Sequence, residues 1–324
     1  MAFRPPYQMQ MPPRKKKSLL IGINYLGTQH QLNGCHQDID SIADFLSYRG
    51  YTNDHRSRVI LSDIPGVPFN SPYYPTGHNI LAAMDWLVCE PNCTLFLHYS
   101  GHGGQIDSQD GVEDSLVPYD FEQNGQIGSR MLHEHLVTRL APGCTLFIVL
   151  DCCHSGSAVE LPFVYRSDSD GQISLMDNLK AGVQLYSEAE NLIEGGFSYN
   201  KMGEARHLLA GATSFFQGIK HMGEQQEEGL QGGEFAGQYG SENKVVTMFS
   251  GCRDDQTSAD ARIQGRSTGA MTWAFLETMK RSPRPSYVQT LQMTRQFLDG
   301  SHYTQIPQLS CGVEMDLDNT PLML

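Results

Sequence analysis

Thr145-Leu146-Phe147-Ile148-Val149-Leu150 runs directly into Asp151-Cys152-Cys153-His154-Ser155-Gly156. An apolar run of strand length, rich in β-branched and aromatic residues, reads as a strand covered on both faces. The polar, glycine-bearing tail marks the point where the chain leaves the sheet. The same grammar occurs upstream, where Thr94-Leu95-Phe96-Leu97-His98-Tyr99 ends in Ser100-Gly101-His102-Gly103-Gly104. Ser18-Leu19-Leu20-Ile21-Gly22-Ile23 and Val245-Val246-Thr247-Met248-Phe249-Ser250 supply two more strands.

Helical patterns lie between these runs. Cys35, Ile39, Ile42, Ala43 and Leu46 recur at helical spacing up to Arg49, with Gly50 as the stop. Thr76 caps a helix that carries Ile80, Met84, Leu87 and Val88 on one face. Met131 to Leu140 reads as a third helix ended by Pro142-Gly143, and Thr268–Lys280 and Ser286–Leu298 as two more. Strands alternating with amphipathic helices predict an α/β three-layer sandwich, with a mainly parallel central sheet and helices on both faces.

Composition narrows the classes. The 324 residues carry a formal net charge of −13 and are 40 % hydrophobic, which fits a globular chain and argues against a nucleic-acid or anionic-membrane binder. No apolar run has the length of a membrane span. Arg14-Lys15-Lys16-Lys17 precedes Leu19-Leu20-Ile21, but the apolar stretch stops at Asn24, too short for a secretory signal. The eight cysteines are scattered, and the adjacent Cys152-Cys153 pair suits reduced thiols, so the cytoplasm is the expected compartment, with the nucleus second.

His102 and Cys153 each stand three residues past the end of a predicted strand, at the carboxyl edge where open α/β sheets bind ligands. If the two strands are parallel neighbours, the residues emerge together. A thiol beside an imidazole is the minimal set for nucleophilic acyl transfer. The N–H groups of Gly103 and Cys153 are candidate oxyanion donors. Along an extended run Asp151 and Cys153 share one side, while Cys152 turns inward with His154, a poor base for Cys153. Weaker readings compete. Cys152, Cys153, His154 and the His133-x-His135 pair are zinc-ligand types without zinc-site spacing. Asp107-x-Gln109 and Asp168-x-Asp170 fail the EF-hand register, and Ser100–Gln105 lacks the Lys-Ser/Thr ending of a phosphate loop.

His98-Tyr99-Ser100-Gly101-His102-Gly103-Gly104, Asp151-Cys152-Cys153-His154-Ser155-Gly156 and Ser250-Gly251-Cys252-Arg253-Asp254-Asp255-Gln256-Thr257-Ser258-Ala259-Asp260 resemble the motifs of type I metacaspases, as found in fungi, over roughly Lys17 to Leu317. The resemblance implies a caspase-like fold, a dyad of His102 as base and Cys153 as nucleophile, and cleavage of protein or peptide substrates after Arg or Lys. It implies a specificity pocket lined by Cys35, Asp38, Ser100 and Asp151. Cys35 and Asp38 stand three apart, on one helix face, and a guanidinium can bond two converging carboxylates.

The same resemblance divides the chain into a short Pro-rich arm (1–16), a large-subunit-like segment (17–165), a linker with a mobile acidic loop (166–244) and a small-subunit-like segment of the same domain (245–324). Lys180, Lys201, Arg206 and Lys220 are the basic candidates for self-cleavage. A monomer is expected, and no cofactor. Calcium is the doubtful one. Asp114 fits one ligand position, but Ser129-Arg130 stands where the family usually carries an Asp pair, and Glu160 at a later Asp. Calcium dependence is therefore expected to be reduced or absent, with Arg130 supplying positive charge in place. A catalytically silent scaffold acting in protein quality control is the competing class.

Overall fold

The computed structural model describes residues 14–108, 111–152, 155, 158–167, 173–177, 242–252, 261–263, 266–301, 303 and 305–324. Among these the chain runs β1 (Lys15–Gly22), α1 (Cys35–Tyr48), β2 (Arg58–Ser62), α2 (Gly77–Val88), β3 (Cys93–Ser100), β4 (Gly103–Ser108) and β5 (Gly111–Leu116). It continues with α3 (Phe121–Asn124), β6 (Ile127–Gly128), α4 (Ser129–His133), β7 (Thr145–Asp151), β8 (Phe163–Ser167) and β9 (Ile173–Asp177). The C-terminal part holds β10 (Val246–Cys252), β11 (Ala261–Ile263), β12 (Arg266–Thr268), α5 (Ala270–Arg281), α6 (Tyr287–Gly300) and β13 (Ile306–Cys311).

Eight of these strands form one sheet in the order β2-β1-β3-β7-β10-β13-β8-β9. The pairings from β2 to β10 are parallel, and those from β10 through β13 and β8 to β9 are antiparallel. Period-two alternation splits the core into two layers. Along β7, Leu146, Ile148 and Leu150 pack with Leu19, Ile21 and the α2 residues Ile80, Met84 and Leu87. Phe147 and Val149 turn the other way, into a layer with Phe96 and Phe249 from β3 and β10 and with Ile39, Phe275 and Leu291 from α1, α5 and α6. Helices thus cover both faces, as the alternating pattern predicts. Thr76 caps α2 by accepting from the Asn79 N–H, and Ser286 with Gln289 forms a reciprocal capping box on α6.

Some boundaries differ from the sequence reading. The sheet begins at Lys15, inside the stretch expected to be an arm, because Lys15 and Lys16 already pair with Cys93 and Thr94 of β3. Lys17 is buried, donates to the Trp86 carbonyl and lies 4.2 Å over the Trp86 ring. The helix expected over Met131–Leu140 starts earlier, as α4, and widens into a π-helical turn at Glu134–Thr138. The wider turn accommodates both Leu136 and Val137 in the interior beside Leu132. The β4–β5–β6 antiparallel unit, β2, β13 and the β8–β9 pair are strands that the sequence reading did not assign, although β2 carries the apolar run Val59-Ile60-Leu61.

Candidate active site

The strands that carry the two proposed reactive residues are parallel neighbours, with Tyr99 opposite Leu150 and Ser100 opposite Asp151. The segments that lead to His102 and to Cys153 therefore leave paired positions on adjacent strands, at the same edge of the sheet. Cys153 itself lies outside the described residues, together with His154. Its neighbours follow the expected alternation. Cys152 is buried in the α2 layer, and the Asp151 carboxylate accepts the Thr272 N–H at 2.7 Å from the first turn of α5.

His102 is held through both its ring and its backbone. Its Nε2 lies 2.8 Å from the carbonyl oxygen of His30, which can only accept, so Nε2 carries the hydrogen and Nδ1 is the basic nitrogen of the neutral ring. The ring sits 4.7 Å from the Tyr25 ring and 6.4 Å from that of His30. The His102 N–H donates to the Tyr25 hydroxyl at 2.9 Å, and its carbonyl accepts from the Tyr99 hydroxyl at 2.7 Å and the Val117 N–H at 3.2 Å. Gly103, the expected oxyanion donor, opens β4 immediately afterwards. Sequence reasoning had no means of finding Tyr25 or His30, which sit in the loop after β1 and belong to no periodic pattern.

The four residues expected to line the specificity pocket come together. Asp38, wholly buried on α1, accepts from the Ser100 hydroxyl at 2.6 Å, the Thr268 hydroxyl at 2.5 Å and the Gly269 N–H at 2.9 Å. Cys35 is buried one turn earlier on the same helix. Asp38 and Asp151 thus converge on the amino end of α5, one at its N-cap and the other at its third residue. Partial positive charge at a helix N-terminus favours both carboxylates. It does not neutralise them. Burial, then the charge of Asp151, push the Asp38 carboxyl up to about 7, against the hydrogen bonds from Ser100, Thr268 and Gly269. Gly269 is a steric requirement here, because a Cβ would stand 2.0 Å from Asp151 Oδ2. The Thr268-Gly269 signal was readable as a helix start, but not that it would hold these carboxylates.

The residues around Asp114 do not fit a calcium donor set. Asp114 accepts from Gln105 Nε2 at 3.1 Å, while Glu113, its neighbour on β5, points to the opposite face. There Arg130 Nε lies 3.1 Å from Glu113 Oε1, and the Ser129 hydroxyl donates to Glu160. Burial, with Glu113 adding to it, raises the Glu160 carboxyl above its ordinary value, and Arg130 is among the charges that oppose this. The carboxylate beside Glu160 is thus Glu113, not Asp114, and a guanidinium already sits on it. Among the described residues no group of three His, Cys, Asp or Glu side chains could hold a metal ion. The zinc-type residues separate as well, with His133 Nδ1 on the Val159 carbonyl and His135 Nδ1 on Asp85. Lys180, Lys201, Arg206 and Lys220 lie outside the described residues.

A mainly parallel sheet covered by helices, with an imidazole and a cysteine motif at the carboxyl edge of adjacent strands, defines an α/β protein of the caspase-like class. The metacaspase, peptidase C14 domain profile matches residues 16–162. Metacaspase-1A of Aspergillus oryzae is 37% identical over 316 residues, covering 95% of this chain and 70% of its own length. Metacaspase-1 of Schizosaccharomyces pombe is 38% identical over 325 residues, covering 96% of this chain and 71% of its own. A solved structure from Geobacter sulfurreducens shares the fold, with a TM-score of 0.51 at 19% identity, covering 94% of this chain and 97% of that one. The chain belongs to the metacaspases, a family of cysteine peptidases.

Proposed function

We propose that this metacaspase is an endopeptidase that cleaves after Arg or Lys, with Cys153 as nucleophile and His102 as base. The Cys153 thiol gives its proton to His102 Nδ1, and the thiolate adds to the scissile carbonyl. The oxyanion is met by the N–H groups of Gly103 and Cys153. Collapse breaks the C–N bond as His102 returns the proton to the leaving amine. Water then hydrolyses the thioester, again with His102 taking its proton.

The observation that carries the specificity is the buried acidic pair. Two carboxylates converge on one helix end, and one of them is lifted toward neutrality by the other and by burial. A guanidinium or ammonium between them relieves that repulsion; a substrate carboxylate would add to it. The register of β3 and β7 supports the dyad, since it starts both loops side by side. The Arg130–Glu113 pair supports activity without calcium. Self-processing at one of Lys180, Lys201, Arg206 and Lys220 belongs to the same reading, as do a monomeric state and a cytoplasmic location.

The test pairs wild type with Cys153→Ala, on peptides that differ only in Arg, Lys or Asp before the scissile bond, with mass spectrometry of both proteins. Cleavage of the Arg and Lys peptides, and new chain termini after a basic residue, are expected from wild type alone. Cleavage confined to the Asp peptide refutes the pocket. An inert wild type that also resists labelling by an Arg-based thiol electrophile favours the silent-scaffold reading.

A further inference from the structure

Tyr25 is a bulky residue in a left-handed backbone conformation, with φ 51°. Residues other than glycine, Asn and Asp avoid that region, and where they hold it at a functional site the surroundings must enforce it. They do. The buried carboxylate of Asp63 accepts the N–H of Asn24 at 2.8 Å and of Leu26 at 2.8 Å, gripping the chain on both sides of Tyr25. His36 Nε2 lies 2.6 Å from the same carboxylate. The result of this clamp is to send a wholly buried tyrosine ring under His102.

The hydroxyl at its end occupies an unusual place. It accepts the His102 N–H at 2.9 Å and donates to the Val117 carbonyl at 2.6 Å. Val117 N–H in turn donates to the His102 carbonyl at 3.2 Å. One half of the His102–Val117 pairing is thus direct, and the other half passes through a phenol oxygen. Tyr99, on β3, completes the arrangement by donating to the His102 carbonyl at 2.7 Å. Tyr99 Oη also lies 3.1 Å from the Val117 carbonyl and 3.3 Å from Tyr25 Oη; each phenol has a single hydrogen, and the shortest contacts give that of Tyr25 to Val117 and that of Tyr99 to His102. Gly101 shows how tightly the hydroxyls close on this segment: a Cβ there would stand 2.8 Å from the Tyr99 oxygen and 3.1 Å from that of Tyr25.

We propose that Tyr25 is a positioning residue for the reaction, its hydroxyl setting the height and tilt of the His102 backbone so that the imidazole is aimed at the nucleophile. The proposal rests on the assignment of His102 as the base. Burial holds both phenols protonated, with Tyr25 and Tyr99 raised well above the ordinary value of 10, so the network keeps one polarity across the working pH range. Tyr99 is the weaker member, because the His102 carbonyl keeps the Val117 N–H when its hydroxyl is removed.

The experiment compares steady-state kinetics of Tyr25→Phe and Tyr99→Phe with wild type on an Arg peptide, with His102→Ala and Cys153→Ala as references. A shift of about 1 Å in a reacting group costs on the order of a hundred-fold in rate. Tyr25→Phe is expected to lose kcat on that scale with KM unchanged, and Tyr99→Phe to lose distinctly less. Where Tyr25→Phe does not fold, Gly101→Ala, which displaces both hydroxyls, is expected to show the same loss in kcat at constant KM. Wild-type kcat in the folded variant, or a change confined to KM, overturns the proposal. Activity retained by His102→Ala or Cys153→Ala instead overturns the dyad, a separate outcome.

Discussion

Asp38→Asn separates the electrostatic reading of the acidic pair from every assumption about substrate. Raising the carboxyl from its ordinary 3.8 to about 7 makes its ionised form cost the fold on the order of 4 kcal/mol. The sign follows from proton counting. Between those values the folded chain holds a proton that the unfolded chain has released. Stability therefore falls as pH rises through that window, and this contribution is level on either side. Asparagine keeps the shape and an acceptor oxygen but has no charge, at the loss of one of the acceptor sites used by Ser100, Thr268 and Gly269. A missing hydrogen bond of this kind costs about 1 kcal/mol. Asp38→Asn should thus be the less stable protein by about 1 kcal/mol at pH 4 and the more stable by about 2–3 kcal/mol at pH 8. Urea unfolding at a series of pH values, read from midpoints at constant m, measures the difference directly. The stability curves should cross. An offset that is the same at both ends of the range refutes the argument, since it would mean that Asp38 titrates no differently folded than unfolded. The same variant should lose cleavage after Arg, and wild-type kcat/KM on Arg peptides should rise with pH as Asp38 ionises.

Two other perturbations address the neighbouring structures. Gly269→Ala drives a methyl into Asp151 and should destabilise by about 1–3 kcal/mol, measured by thermal unfolding, with cleavage after Arg lost in parallel; full activity would show that the α5 amino end can shift without consequence. Arg130→Ala removes the cation from Glu113, whose side chain is 13% exposed, and should cost about 1–2 kcal/mol after allowance for the part-exposed guanidinium. Millimolar calcium should recover part of that loss in the variant, while neither calcium nor a chelator changes wild-type activity; a steep calcium activation of wild type that vanishes in Asp114→Ala contradicts the Arg130 reading.

What could be read from the sequence was what local chemistry dictates. The runs at Thr94–Tyr99 and Thr145–Leu150 have no soluble alternative to burial on both faces, and both are central strands. Strand β13 was invisible for the opposite reason. Its Ile306-Pro307-Gln308-Leu309-Ser310-Cys311 looks like a loop, yet Gln308 and Ser310 are buried in the sheet and the strand pairs with both β10 and β8. Pairing that joins distant segments overrides local polarity, and no single window records it. The β4–β5 hairpin was missed likewise, because its register depends on Gln105–Asp114 and Ile106–Glu113 pairs rather than on an apolar stripe. The site divides along the same line. Asp38, Ser100 and Asp151 lie in motifs with a recognisable resemblance. Tyr25, His30, Thr268 and Gly269 act through where the fold brings them, and so does Glu113, which carries Arg130 while Asp114, one residue on along β5, faces the other way. With a period of two, one residue means the opposite face.

Among the described residues Asp38 with Asp151 and Glu113 with Glu160 form buried acidic pairs, and the contrast between them bears on what each is for. At Glu113 and Glu160 the compensation is internal: a guanidinium on one carboxylate, a serine hydroxyl on the other. At Asp38 and Asp151 it comes from hydroxyls, backbone N–H groups and the end of α5, which is worth about half an elementary charge against two carboxylates. Even so the Asp38 carboxyl is pushed up to about 7, so its ionised form is unfavourable to the fold, and the site is assembled from α1, β3, β7 and α5, elements far apart in the chain. Four separate elements do not converge on a destabilising arrangement for packing's sake, because an asparagine in place of Asp38 would keep most of the hydrogen bonds and remove the charge. A cost of this kind is retained where binding recovers it, and the group that recovers it must be cationic and thin enough to enter between the carboxylates. An Arg or Lys side chain has that charge and that shape. Asp38→Asn should accordingly resist urea better than wild type at pH 8 and no longer distinguish Arg from Leu before the scissile bond. A variant that is both destabilised at every pH and still selective for Arg would place the origin of specificity elsewhere.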